Sequence, residues 1–375
     1  MPEKILIGNE FISTNEVRPV INPFTNKTVG EVYIAGEAEF NASAEYLTSI
    51  AKEYASLPTY KKQELLYTIS ARVKAQKNEL AKLITDETGK PIKFSMIEVD
   101  RAVFTFRLGA EECSRIYGEV LPLDLLPGSE NKTGIVRRFP IGLILGITPW
   151  NFPVNLAAHK ISPALASGNV IMIKPSSSSM LTAIALGRIV FDACKELGIT
   201  LIPLNILPIS GSKMDTHISD SRIKLISFTG SGDVGWGIKK KSDRQKISLE
   251  LGGNAGVIVN YDAEIDSAVA KITIGGFSQA GQSCISVQRV YIHRNIYEEF
   301  SKRLIAAAKQ IKFGDPYEPD TITGPMINEE EALRAEKWIS EAKEQGATIL
   351  TGSTRKGAVI EPTVIENAPD NTNVK

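Results

Sequence analysis

Cysteine and histidine are both scarce, with three of each among 375 residues. Cys113, Cys194 and Cys284 are an odd number and widely spaced, which argues against a disulfide framework and offers no short-spaced pair for a zinc site. No metal is expected. His159, His217 and His293 carry no assigned chemistry, so a histidine-based mechanism is disfavoured. An excess of one charge sign is also lacking, since Lys plus Arg and Asp plus Glu each number 43. That removes the basic surplus that draws nucleic acid or an anionic membrane surface. No stretch approaches the roughly 18 uninterrupted apolar residues of a membrane span, and MPEKILIGNEF lacks the apolar core and cleavage site of a signal peptide. These absences point to a cytoplasmic chain in a reducing compartment, with a small molecule as its partner.

What is present is ordinary for a globular enzyme: 43% hydrophobic and 23% charged residues. The length exceeds what one growing core accommodates, so two or three domains are expected. Short β-branched runs alternate with longer helical patterns, as in βαβ architectures. The fold class read from this is α/β. Extended INPFTNKTVGEVY is followed by amphipathic helices between about Glu37 and Tyr117, and a polar-rich excursion fills Tyr117 to Pro140 as a surface hairpin. From Ile141 the reading is strand IGLILGI, the turn TPWNFP, a helix around Leu156 to Ala166, and a strand from Val170 to Ile173. A helix from Leu181 to Leu197 follows, then strands Leu204 to Leu207 and Leu225 to Phe228. After Glu250 the pattern restarts with strand Gly256 to Asn260, a helix from Ile265 towards Ala280, strand Arg289 to His293 and a helix from Tyr297 to about Lys312.

Gly230, Gly232 and Gly235 spell GxGxxG between a strand and a helix, with Glu250 where a ribose-binding acid is expected. Several strands precede this one, whereas the usual fingerprint sits on the first strand of its unit. What carries over is physical: glycines admit a pyrophosphate to backbone amides, and a helix N-terminus stabilises its charge. Cys284 lies in GGFSQAGQSCIS, at the expected end of a helix, where small neighbours could leave the sulfur accessible beside backbone N–H groups. A small buried hydrophobe is the competing reading of that thiol. Asn151 could simply satisfy a turn, and Glu250 and Lys174 could be solvated strand-end charges.

TPWNFP at Thr148 to Pro153, IKPSSSS at Ile173 to Ser179, FTGS at Phe228 to Ser231, LELGGN at Leu249 to Asn254 and the GQSC of Cys284 occur in one order. Together they resemble the aldehyde dehydrogenase superfamily over nearly the entire chain. The resemblance implies a Rossmann-like cofactor domain at 1–121 and 141–252, a bridging oligomerisation arm that includes 122–140, and a second α/β catalytic domain at 253–375 that is incomplete at its C-terminus. It implies Cys284 as the nucleophile that forms a thioester, Glu250 as the general base and Asn151 as an oxyanion-hole donor. It implies NAD or NADP as cofactor, with Thr148, Trp150, Lys174, Ser177, Gly230, Ser231 and Leu251 around it. Ser177, where NAD-preferring relatives often carry glutamate, turns the expectation towards NADP. A homodimer or homotetramer is expected of the full-length protein.

The resemblance also implies departures. The family continues about 90 residues further, with an E-x-F-G-P segment and a swapped strand that would pair with the arm near Lys132 to Pro140. Arg101, with Ala110 to Glu112 and Gly118 to Pro122, is similar to the region of non-phosphorylating glyceraldehyde-3-phosphate dehydrogenases that supplies a phosphate-binding arginine. Ser283 stands where those enzymes have a second one. Lactaldehyde and succinate-semialdehyde dehydrogenases share other segments, so a small polar or anionic aldehyde is the expected substrate. The alternatives are a CoA-acylating aldehyde dehydrogenase and a catalytically silent truncated homologue.

Overall fold

The computed structural model describes residues 1–375. The chain opens with the antiparallel pair β1 (Ile5–Ile7) and β2 (Glu10–Ile12), then the hairpin of β3 (Glu16–Ile21) and β4 (Thr28–Ile34). Four helices follow: α1 (Glu37–Ser56), α2 (Thr59–Ala75), α3 (Lys77–Thr88) and α4 (Ile92–Glu112). Each buries one stripe, such as Leu65, Leu66, Ile69 and Val73 on α2. The excursion is a hairpin as expected, β5 (Glu119–Pro122) with β6 (Thr133–Val136), its first strand starting ahead of residue 122.

The main sheet comes next. Its strands are β7 (Leu143–Ile147), β8 (Val170–Lys174), β9 (Leu204–Ile206), β10 (Ile223–Gly230) and β11 (Lys246–Leu251), all parallel, in the order β11-β10-β7-β8-β9. Between them run α5 (Pro153–Ala166), α6 (Met180–Glu196), the short α7 (Gly211–Asp215) and α8 (Gly232–Lys241). The central β7, LILGI, is buried at every residue, as a strand covered on both faces must be, whereas the edge strand β11 alternates exposed and half-buried residues. Strand order reverses between β7 and β10. The crevice beyond the strand C-termini at such a switch point is where open parallel sheets take ligands.

The last third is built differently. Parallel β12 (Gly256–Val259) and β13 (Arg289–Ile292) flank α9 (Ile265–Phe277) and are followed by α10 (Tyr297–Lys309). The sequence assigns nothing after Lys312, where α11 (Glu329–Glu344), β14 (Thr348–Thr351), β15 (Arg355–Lys356), β16 (Val359–Ile360) and β17 (Val364–Glu366) are found. The expected helix towards Ala280 stops at Phe277. Gln279 and Ala280 adopt left-handed backbone at φ 54° and 55°, which no helix can continue through. No helix is long and apolar enough to cross a membrane.

Candidate active site

The motif residues converge on one end of the sheet. Thr148 follows β7, Lys174 ends β8, Gly230 ends β10, and Glu250 and Leu251 end β11. Parallel registers tie them together: Ile147 pairs with both Lys174 and Phe228, Thr229 with Glu250, and Gly230 with Leu251. The Thr148 N–H donates to the Lys174 carbonyl at 3.1 Å, joining the first two turns. A Cβ on Gly235 would lie 2.5 Å from Leu251 Cδ2, so glycine there lets α8 close onto the sheet. GxGxxG thus sits on the fourth strand of this sheet in chain order.

Several features suit an anionic dinucleotide at this edge. Ser231 precedes α8 with no side-chain cap, so the helix's first amides have no side-chain partner there, and a Cβ on Gly232 would meet nothing within 4 Å. The Lys174 ammonium bonds only the Pro175 carbonyl, at 3.0 Å, and burial pushes its pKa down to about 8. An opposite charge would relieve that desolvation. Ser177 is exposed beside it, and Trp150 is half-buried in the turn after β7.

Cys284 is exposed in a turn, seven residues past the end of α9 at Phe277, while Cys113 and Cys194 are buried. Burial raises both buried thiols, Cys194 to about 12. Two glutamines hold the loop before Cys284. Gln279, nearly fully buried, donates its side-chain N–H to the Asn151 carbonyl at 2.7 Å. Gln282 donates to the carbonyls of Gln279 and Pro325, each at 3.2 Å, and accepts from the Ile327 N–H at 2.9 Å. Asn151 Nδ2 in turn donates to the Gln282 carbonyl at 3.0 Å. The Asn151 side chain and the Cys284 loop are therefore docked together, and Nδ2 retains a second hydrogen. Glu250 joins neither by a hydrogen bond. It is exposed, and its charge acts on Lys160 and His159.

Lys160 comes from α5. Its Nζ donates to Thr229 Oγ1 at 2.8 Å and to Ser227 Oγ at 3.1 Å, and burial lowers its pKa to about 8 against the opposing pull of Glu250. Nearby, α4 and α5 bound an open groove of about 870 Å³ lined by Arg101, Phe104, Thr105 and His159 among others. The His159 imidazole is held below its usual pKa by desolvation, then by the Arg101 and Lys160 charges. Arg101 has no ion-pair partner, and its guanidinium lies 5.6 Å from the centroid of Phe152, the residue after Asn151. Sequence reasoning assigned no chemistry to His159; here it shares the groove with Arg101.

Two buried carboxylates also escape the sequence. Glu87 accepts from the N–H groups of Leu181 and Thr182 at 2.6 and 2.8 Å, at the start of α6, and burial raises its pKa to about 8. Glu98 accepts from those of Val154 and Asn155 at 2.9 and 3.1 Å, at the start of α5, and pairs with Lys90, both side chains fully buried. Removing one member alone would strand a buried charge, at about 3–5 kcal/mol.

The aldehyde dehydrogenase family model matches residues 11–375. A 3-sulfolactaldehyde dehydrogenase of Priestia megaterium is 35% identical over 371 residues, covering 99% of this chain and 76% of its own. Aldehyde dehydrogenase 21 from Physcomitrella patens, solved with its reaction product succinate, superposes with TM-score 0.95 at 39% identity, covering 100% of this chain and 78% of that one. A glyceraldehyde-3-phosphate dehydrogenase from Methanocaldococcus jannaschii, solved with NADP, gives TM-score 0.90 at 35% identity, covering 94% and 76%.

Proposed function

Because the chain belongs to the aldehyde dehydrogenase family, we propose that it oxidises a small aldehyde bearing an anionic group to its carboxylic acid, with NAD(P) as acceptor and Cys284 as nucleophile. The docking of Asn151 onto the Cys284 loop, 3.0 Å from Nδ2 to the Gln282 carbonyl, carries the mechanistic reading. The Cys284 sulfur, as thiolate, forms a C–S bond to the aldehyde carbon, and the carbonyl electron pair becomes an oxyanion. Asn151 Nδ2–H and the Cys284 backbone N–H hold that oxyanion, a donor of this kind being worth about 2.7–4 kcal/mol. The nicotinamide, when bound, supplies the hydride acceptor that leaves a thioester on Cys284. Glu250 then takes a proton from water as its oxygen adds to the thioester carbon, and the C–S bond breaks to return the thiolate.

Lys174 and Ser177 would hold the adenosine ribose, Gly230 and Ser231 the pyrophosphate, with Thr148, Trp150 and Leu251 towards the nicotinamide. The partly buried Lys174 ammonium and the small Ser177 favour NADP, whose 2′-phosphate supplies the missing counter-charge. On this reading 1–121 and 141–252 bind the cofactor, 122–140 belong to an oligomerisation arm, and 253–375 carry the nucleophile. The exposed Leu121, Leu125, Leu126 and Ile135 of the hairpin suit an arm that a second copy covers.

The anionic substrate is supported by Arg101, a guanidinium without an ion-pair partner that lines the groove and lies 5.6 Å from the Phe152 ring centroid. The three relatives act on or were solved with molecules bearing a sulfonate, a carboxylate and a phosphate. The test is a panel of 3-sulfolactaldehyde, succinate semialdehyde, glyceraldehyde 3-phosphate and propanal, with and without CoA, followed through reduced cofactor. An anionic member should exceed propanal in kcat/KM by about tenfold or more, and Arg101→Ala should erase that margin. Equal use of propanal would refute the anionic preference, and turnover only with CoA would refute hydrolysis.

A further inference from the structure

Helix α5 carries the Asn151 turn at its start, yet nothing local caps it. Its N-cap residue is Phe152, which has no side-chain acceptor, and Pro153 at the first helical position has no N–H to satisfy. The next two amides, Val154 and Asn155, donate to a single oxygen, Glu98 Oε1, at 2.9 and 3.1 Å. Glu98 belongs to α4, 56 residues from Val154 in sequence, and is 1% exposed. Its other oxygen accepts from Lys90 Nζ, whose side chain is equally buried. That ammonium lies 3.9 Å from the centroid of the Phe152 ring, within the range of a desolvated cation–π contact. One buried pair therefore grips two successive parts of the chain, the Phe152 ring and the amides after it. Asn151 is the residue immediately before.

We infer that the Lys90–Glu98 pair is a positioning element for catalysis, fixing the start of α5 so that Asn151 presents its amide to the Cys284 loop. The inference rests on the reading of Asn151 as an oxyanion donor. A buried ion pair is a poor source of net stability, since desolvating two charges offsets most of their attraction, so stability alone is a weak explanation for it. The Asn151 turn has further holds at its other end: the Gln279 amide bonds the Asn151 carbonyl at 2.7 Å. With the turn fixed from both sides, the remaining Nδ2 hydrogen has a defined direction, and preorganisation of that kind is what an oxyanion donor requires. The fixed element is the acceptor oxygen on the two amides; the Lys90 charge neutralises it and orients the ring.

Variants must leave no lone buried charge. Lys90→Met combined with Glu98→Gln keeps an oxygen for the two amides, whereas Lys90→Met with Glu98→Leu removes it. Both are compared with wild type and with Asn151→Ala for kcat on the best aldehyde of the panel, NADP affinity by fluorescence titration, and backbone amide exchange at 151–155. The Leu pair should lose kcat by about tenfold or more while NADP affinity stays within about twofold. The Gln pair should stay within about threefold of wild type in kcat. Adding Asn151→Ala to the Leu pair should cost little more, because both changes remove one interaction. Exchange at 154 and 155 should quicken in the Leu pair only. A Leu pair with normal kcat, or losses that multiply in full with Asn151→Ala, would overturn the positioning role. Normal kcat in Asn151→Ala alone would instead overturn the donor reading on which it rests, so the two failures are distinguishable.

Discussion

Within these 375 residues, which span 76% and 78% of two relatives' own length, the sheet region and the Cys284 region differ in apolar packing. The first contains a continuous cluster of 60 buried apolar residues, running from Ile5 to Ile238. The second has a cluster of five, Val259, Val269, Ile272, Phe300 and Leu304, and leaves Ile258 and Ile285 about four-fifths exposed. Dense packing suits a platform that must hold strand ends in fixed register. The Cys284 loop depends instead on hydrogen bonds from Gln279 and Gln282 and on left-handed backbone at Gln279, Ala280 and Gly281. Such strain persists only where neighbours over-determine it. The position of the Cys284 loop is therefore borrowed from the platform, through Asn151.

The largest effects should fall on the platform. Phe106→Ala, at a site with no solvent exposure, should lower global stability by about 3–5 kcal/mol. Phe300→Ala in the small cluster should open chiefly its own region. Denaturant melts combined with amide exchange check this; if Phe300→Ala unfolds the sheet region as readily as Phe106→Ala does, the two regions are one cooperative unit.

Next in size is Lys160. Its folded pKa of about 8 lies below the unfolded value of 10.5, so the folded state releases its proton first as pH rises. Stability from this group is therefore fully present only above about 10.5 and is lost as pH falls through about 8. Lys174 acts in the same window and with the same sign. Glu87, raised to about 8 from 4.5, acts oppositely: its contribution is present below about 4.5 and lost as pH rises through about 8. The informative quantity is therefore the difference between wild type and Lys160→Met. Urea midpoints should show wild type gaining on the variant between pH 8 and 10.5; parallel curves would mean that Lys160 is not desolvated as described.

The smallest expected effect concerns Ser177, just past the end of β8. Ser177→Glu should shift the NADP/NAD ratio of kcat/KM towards NAD by about tenfold or more, through repulsion of a 2′-phosphate, and leave the Cys284 chemistry untouched. An unchanged ratio would mean that other groups select the cofactor.

The sequence makes the platform legible because its signals are local. The continuous apolar run of β7 predicts a buried parallel strand, and TPWNFP, KPSSSS and ELGG each sit at the strand end where they are expected. The hairpin at Glu119–Val136 is legible for the same reason. Glu87 and Glu98 are not, because each acts on amides 56 to 95 residues away and reads in sequence as one more charge on a helix. Lys90 hides in the same way beside Pro91. The stop of α9 at Phe277 is missed because Gln279 and Ala280 have no intrinsic preference for left-handed backbone; tertiary bonds impose it. Residues 329–344 carry enough acidic and basic side chains to blur their apolar stripe, and only Ala332 and Ala342 are buried there.

The most direct test is the mass of Cys284 itself. Glu250→Gln, mixed with NADP and the best anionic aldehyde and quenched in acid, should release about one equivalent of reduced cofactor and then stall, because acylation needs no base while deacylation does. The peptide containing Cys284 should then carry the acyl group, heavier by the substrate aldehyde less two hydrogens, and Cys284→Ser should show neither burst nor adduct. Sustained turnover by Cys284→Ser, or a burst from Glu250→Gln with Cys284 unmodified, would contradict a thioester at this residue.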